Sequence, residues 1–147
     1  MLIKEIYKLF DNKLEIRPKS KASNVLRDIS SFLTKPGLIN IEVKDLNKII
    51  LSSDKMFAIS AKAHGKERAH KLGRQIVSSI PAVFQAKKAT NVIFNIIGSS
   101  DLTLWEVNEV AGYIYDAIDP HANIIFGALI DDKKKDFINA TVIFGGN

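Results

Sequence analysis

The chain has 147 residues, 46% of them hydrophobic and 25% charged, which suits a single soluble domain with a sizeable core. Its formal charge of +5 is carried mostly by scattered lysines, with no basic stripe interleaved with aromatics, so no nucleic-acid partner is expected. The absence of cysteine excludes disulfides and cysteine metal sites, and no apolar run is long enough to cross a bilayer.

In chain order, Ile3, Ile6, Leu9 and Phe10 share one helical face, predicting a short amphipathic helix that docks on the domain itself rather than on a membrane or partner. The polar stretch D-N-K-L-E-I-R-P-K-S-K reads as a connector closed by Pro18, and Ser20 or Ser23 is placed to cap the next helix. Val25, Leu26, Ile29, Phe32 and Leu33 form that helix's apolar stripe, which Pro36-Gly37 stops. A loop comes next, P-G-L-I-N-I-E-V-K-D (Pro36–Asp45), and the stripe Val43, Leu46, Ile49 and Ile50 then places a helix at about Lys44 to Ser52. Between the two helices stand Asn40, Glu42 and Asp45. An amide and two carboxylates on a loop braced at both ends can orient and polarise water. The plainer alternative is that the two acids only complement the positive end of the second helix.

The segment M-F-A-I-S-A-K-A reads as a strand broken by His64-Gly65. After it comes a helix with Ala69, Leu72, Gly73, Ile76, Val77 and Ile80 inward and Lys66, Arg68, His70, Lys71 and Arg74 on the wet side, up to Pro81. Asn91 to Ile97 forms a buried strand. Thr103 with Glu106 three residues on makes a capping box, and Leu102 with Val107 a hydrophobic staple, for a helix that buries Val107, Val110, Ala111, Ile114 and Ile118. Trp105 and Tyr113 lie off that stripe and are read as edge packing, with exposed contact residues as the alternative. Strands at Asn123 to Ile130 and Phe137 to Phe144, joined by the polar D-D-K-K-K-D, are expected to pair as an antiparallel hairpin. The expected fold is α+β: a four-stranded mixed sheet with helices packed on it.

Local catalytic motifs are absent. There is no G-x-G-x-x-G or P-loop pattern, His64, His70 and His121 lack partners at metal-ligand spacing, and no serine sits in a nucleophile elbow.

Several stretches together resemble the C-terminal half of FtsZ, the bacterial tubulin homologue that forms the division ring. Pro36–Asp45 resembles the loop after that family's long central helix, and N-V-L-R (Asn24–Arg27) resembles part of the helix. N-V-I-F-N-I-I-G-S-S-D-L-T-L-W-E-V-N-E-V-A (Asn91–Ala111) resembles its strand-turn-helix. D-P-H-A-N-I-I-F-G-A-L-I-D (Asp119–Asp131) and A-T-V-I-F-G-G (Ala140–Gly146) resemble its closing strands. The resemblance divides the chain into an N-terminal segment and connector over 1–21, a central-helix remnant over 22–35, and an FtsZ-like C-terminal domain over 36–147.

The family's GTP-binding half does not occur in this sequence, so the resemblance implies no GTPase activity for the chain alone. It binds no cofactor itself; GTP and Mg are implied only on a partner, either a full-length FtsZ-like subunit or a separate GTP-binding domain. It implies a cytoplasmic cell-division filament component or modulator, without membrane association. Its loop would act in trans on a neighbour's GTP, with Asp45 orienting water, Glu42 as second acid and Asn40 positioning loop or water. Such a chain would cap filaments, since it has no nucleotide face to accept the next subunit. The alternative is an inert stand-alone domain that serves only as a protein-binding module. Two residues depart from the family: the middle acid, usually aspartate, is Glu42, and Lys44 stands where a small neutral residue is usual. An ammonium there is placed to pair with the key acid, Asp45, and to blunt its action as a base.

Overall fold

A computed structural model describes residues 14–16, 37–53, 55–80 and 88–146. The helices expected over 1–10 and 22–35, and the stop at Pro81, lie outside these residues. The described elements are β1 (Leu14–Ile16), α1 (Val43–Ser52), β2 (Lys55–His64), α2 (Arg68–Ser78), β3 (Asn91–Gly98), α3 (Leu104–Ala117), β4 (Asn123–Ile130) and β5 (Phe137–Gly146).

The strands form one sheet in the order β1-β2-β5-β3-β4. The expected four-stranded mixed sheet is its body, and the three-residue β1 adds to the β2 edge in parallel. The hairpin expected between β4 and β5 does not form. β4 pairs with β3 in parallel, while β5 is antiparallel to β3 on one side and to β2 on the other. α3 supplies the long crossover that the parallel pair of β3 and β4 needs. β5 then fills the slot between β2 and β3, where both of its edges are paired; beside β4 only one would be. The polar connection 131–136 therefore passes the end of β3, where the Asp131 N–H donates to the Gly98 carbonyl at 2.8 Å.

Side-chain alternation divides the core. Val92, Phe94 and Ile96 of β3 pack with Leu72 and Ile76 of α2 and with Val107, Val110 and Ile114 of α3. Ile93 faces the other way, into a smaller cluster with Leu46, Ile49 and Ile50 of α1. The sheet thus lies between α1 on one face and α2 with α3 on the other. Burial on both faces explains why β3 reads as an almost continuous apolar run.

The start of α3 is built as its sequence indicates. The Glu106 N–H donates to the Thr103 hydroxyl at 3.2 Å, the Thr103 N–H donates to the Glu106 carboxylate at 3.2 Å, and Leu102 and Val107 are both buried. Three side chains depart from expectation. Val77 is 39% exposed, Arg68 is only 6% exposed, and Trp105 is 84% exposed rather than packed. Tyr113 does pack: its ring covers Gly73 on α2, and its hydroxyl hydrogen-bonds His70 Nδ1.

A Cβ at Gly73 would overlap the Tyr113 ring, with Cγ only 2.6 Å away, so α2 and α3 approach this closely only through glycine. Gly73→Ala is expected to destabilise the chain by about 1–3 kcal/mol, the usual cost of overpacking. Urea denaturation checks this; an unchanged midpoint would show that the helices separate freely.

Candidate functional site

The loop before α1 is fastened to β4, the edge strand of the sheet. Gly37 lies so close to that strand that a Cβ would overlap the Ala128 carbonyl oxygen and the Leu129 side chain. Two residues on, Ile39 exchanges both backbone hydrogen bonds with Ala128: Ile39 N–H donates at 3.2 Å and Ala128 N–H donates back at 2.9 Å. Ile41, 8% exposed, then joins the core cluster of α1 beside Leu46 and Leu129. Backbone and apolar contacts therefore set much of the loop's course.

The three residues singled out from the sequence divide into two kinds. Asn40 Oδ1 accepts the Gly37 N–H at 2.8 Å, so this amide braces the loop itself. Glu42 is the N-cap residue of α1, in extended conformation, and makes no side-chain cap. Asp45 lies in the first turn of that helix. Both acids are exposed, and among the described residues neither carboxylate has a hydrogen bond or ion pair. Lys44, also exposed, is not paired with either one among these residues. Asp45 borders an open groove of about 250 Å³ between α1 and the start of β4, together with Lys48, Ser52, Asn91, Asn123 and Ile125. This arrangement presents two solvated carboxylates on a braced support. It can accept hydrogen bonds from water or from donors on another molecule.

A second polar cluster escaped sequence reading. Arg68, the first residue of α2, is buried and forms a bidentate pair with Glu106, Nε to Oε2 at 2.6 Å and Nη2 to Oε1 at 2.9 Å. Its Nη1 donates to Ser99 Oγ at 3.0 Å and to Asp101 Oδ1 at 3.2 Å, with Asp136 at 3.8 Å. The hydrogen bond from Arg68 holds the Glu106 carboxyl below the usual range. For Asp101 the Ser99 hydroxyl is the larger cause, and Arg68 adds to it. The guanidinium in turn is held above its ordinary value, chiefly by the hydrogen bond with Glu106, against the opposing effect of burial. The cluster clamps α2, the β3–α3 turn and the β4–β5 connection together. All three carboxylates are turned toward the one guanidinium, so the cluster reads as structure. The capping-box Glu106 was visible in the sequence, but its second partner belongs to another helix.

Among the described residues, no three His, Cys, Asp or Glu side chains group to hold a metal ion, and no helix is long and apolar enough to cross a membrane.

Residues 56–147 match the family described as FtsZ family, C-terminal domain. The fold is similar to that of an empty FtsZ dimer from M. jannaschii, with a TM-score of 0.79 and 24% identity over 99% of this chain and 40% of that one. A W319Y mutant of FtsZ from the same organism matches with the same score and identity, over 99% of this chain and 42% of the other. GDP-form protofilaments of TubZ from Bacillus thuringiensis serovar israelensis match at a TM-score of 0.62 and 18% identity, over 84% of this chain and 34% of that one. The chain thus spans about two fifths of the length of the FtsZ structures it matches.

The clamp makes stability depend on pH in a definite direction. Glu106 has a lowered folded value, so its contribution is full above the ordinary 4.5 and is lost as pH falls through the folded value. Glu106→Gln is expected to cost about 1.5–3 kcal/mol near neutrality, the range for hydrogen bonds to a charged group. The difference from the unmutated chain should shrink in acid. Denaturant midpoints measured across pH test this, and a gap that stays constant into acid would show that the pair does not contribute as a charge.

Proposed function

We propose, from the premise that this chain belongs to the FtsZ family and carries its C-terminal domain, that it offers its acidic loop in trans to the GTP site of an adjacent FtsZ-like subunit. Asp45 is the water-orienting acid and Glu42 the second carboxylate. Asn40, through its bond to the Gly37 N–H, holds the loop that carries them. In phosphoryl transfer the protein mainly positions the nucleophile and stabilises charge, so a water-orienting acid can come from a different chain than the one holding GTP and Mg. As a filament component the chain docks through this loop. Where no GTP-binding half accompanies it, it caps a filament end and modulates turnover.

One observation carries this reading: both carboxylates are exposed and without partners among the described residues, on a loop whose backbone is tied to β4. Glu42 stands at the N-cap without making a side-chain cap, so its carboxylate is not spent on the helix start, while Asp45 in the first turn also complements the positive helix end. The similar FtsZ structure is a dimer and the similar TubZ structure a protofilament, which supports subunit-to-subunit contact as the use of this fold.

The test is titration into a polymerising full-length FtsZ homologue with GTP. The expected outcome is changed GTP turnover and shorter filaments. Asp45→Ala should lower any stimulation of turnover by about 10²-fold or more, the scale of a positioned general base. It should leave stability within about 0.5 kcal/mol, as for other exposed sites. Unchanged turnover and filament length with the unmutated chain would instead favour an inert binding module.

A further inference from the structure

Beneath the loop, in the middle of β3, lies an asparagine that the sheet does not explain. Asn95 pairs in register with Gly127 of β4 and Thr141 of β5 and is 1% exposed. Among the described residues, neither polar atom of its side-chain amide has a hydrogen-bond partner. Asparagine is depleted in central strands, and a buried amide without a partner bears the full cost of its desolvation.

The residues opposite suggest its role. The position that a Cβ on Gly127 would take is 3.0 Å from Asn95 Oδ1, 3.0 Å from the Ile39 carbonyl oxygen and 3.0 Å from Ile41 Cγ1. The amide and the loop carbonyl thus both border Gly127, the one position of β4 that has no side chain. Asn95 Oδ1 is without a donor, and the Ile39 carbonyl, which already accepts the Ala128 N–H, has a second lone pair to offer. Two arrangements supply a donor. The amide can turn end for end, since its oxygen and nitrogen have nearly the same shape, and so aim Nδ2 at Ile39. Alternatively, a single water can donate to both oxygens.

We propose that Asn95 is a positioning residue for the loop, its amide fastening the Ile39 carbonyl from below across Gly127, directly or through one water. Ile39 is then held from two sides, by Ala128 along the strand edge and by Asn95 from the sheet beneath. It stands three residues before Glu42, so this latch sets how far the acids rise above the sheet. The effect on a neighbour's GTP rests on the function proposed above; the latch itself does not.

The experiment is amide hydrogen exchange on the full chain, unmutated and as Asn95→Leu, which keeps the number and branching of side-chain heavy atoms and removes the polar group. Exchange at Ile39 and Ala128 should rise at least about tenfold, the scale of one lost hydrogen bond, while the β2–β5 ladder is unchanged and Tm is not lowered. Unchanged exchange at those two amides overturns the proposal, as does an equal rise across the whole sheet. Should the variant not fold, the unmutated chain decides by NMR. A nuclear Overhauser contact from the Asn95 side-chain amide to the Ile39 region or to a bound water supports the latch, and the absence of both overturns it. If the bridge loosens in Asn95→Leu while the unmutated chain has no effect on GTP turnover, the latch stands and the trans reading falls. If both chains stimulate turnover equally with unaltered exchange, the latch alone falls.

Discussion

The backbone exchange between Ile39 and Ala128 is the contact on which the course of the acidic loop depends. It joins a connecting loop to the outer edge of β4, where an open strand would otherwise display unpaired N–H and C=O groups. One pair of hydrogen bonds thus protects a sheet edge and fixes a loop. Gly37 makes the arrangement possible, because any side chain there would meet the Ala128 carbonyl. From this anchor the chain enters the core at Ile41 and leaves it as α1, with Glu42 and Asp45 on the outer side of the turn.

The rest of the fold supports that edge. β4 can carry the loop because its other side is held in parallel along its whole length by β3. β3 is in turn locked by β5, and the crossover α3 is fixed at its first turn by the pair between Glu106 and Arg68. The clamp closes one end of the sheet with charge, and the loop crosses β4 elsewhere. Positional stiffness and exposed acidity are therefore assigned to different groups. A carboxylate answered by a buried guanidinium, like Glu106, is unavailable to a visitor. Glu42 and Asp45 remain available because Arg68 and the backbone carry the structural load.

How much of this could be read from the sequence depends on how local the cause is. The start of α3 was readable because Leu102, Thr103, Glu106 and Val107 lie within six positions and act on each other. β3 was readable because burial on both faces leaves an apolar run. The placement of β5 was not, because D-D-K-K-K-D is equally polar whether it joins neighbours or passes the end of an intervening strand. Arg68 looked solvated because hydropathy assigns guanidinium groups to water, and its burial is decided by Ser99, Asp101, Glu106 and Asp136 from distant segments. Trp105 looked like packing by its size, yet the inward stripe of α3 begins at Val107 and leaves Trp105 in solvent. For the loop, residue types alone indicated the acids. Asn40 braces the loop through a local bond that its residue type alone did not distinguish from a role toward water, whereas the place of Asn95 beside the loop depends on β4.

Helices α1 and α3 begin in opposite ways, and the contrast bears on function. At α3 every local choice agrees: a capping threonine, a reciprocal glutamate and a buried staple. At α1 the N-cap is Glu42, which makes no cap, where serine, threonine, aspartate or asparagine would be worth about 1 kcal/mol. Leu38 of the same loop is half exposed, and Asn95 is buried without a hydrogen-bond partner among the described residues. Departures occur elsewhere too: the N-cap of α2, Glu67, has a left-handed backbone and makes no side-chain cap, and Trp105 of α3 stands in solvent. Sequences that specify a fold are consistent across levels, and they tend to break their own rules where a site is formed. At the loop, the departure at Glu42 leaves a carboxylate unspent on its own helix, which supports the reading proposed above.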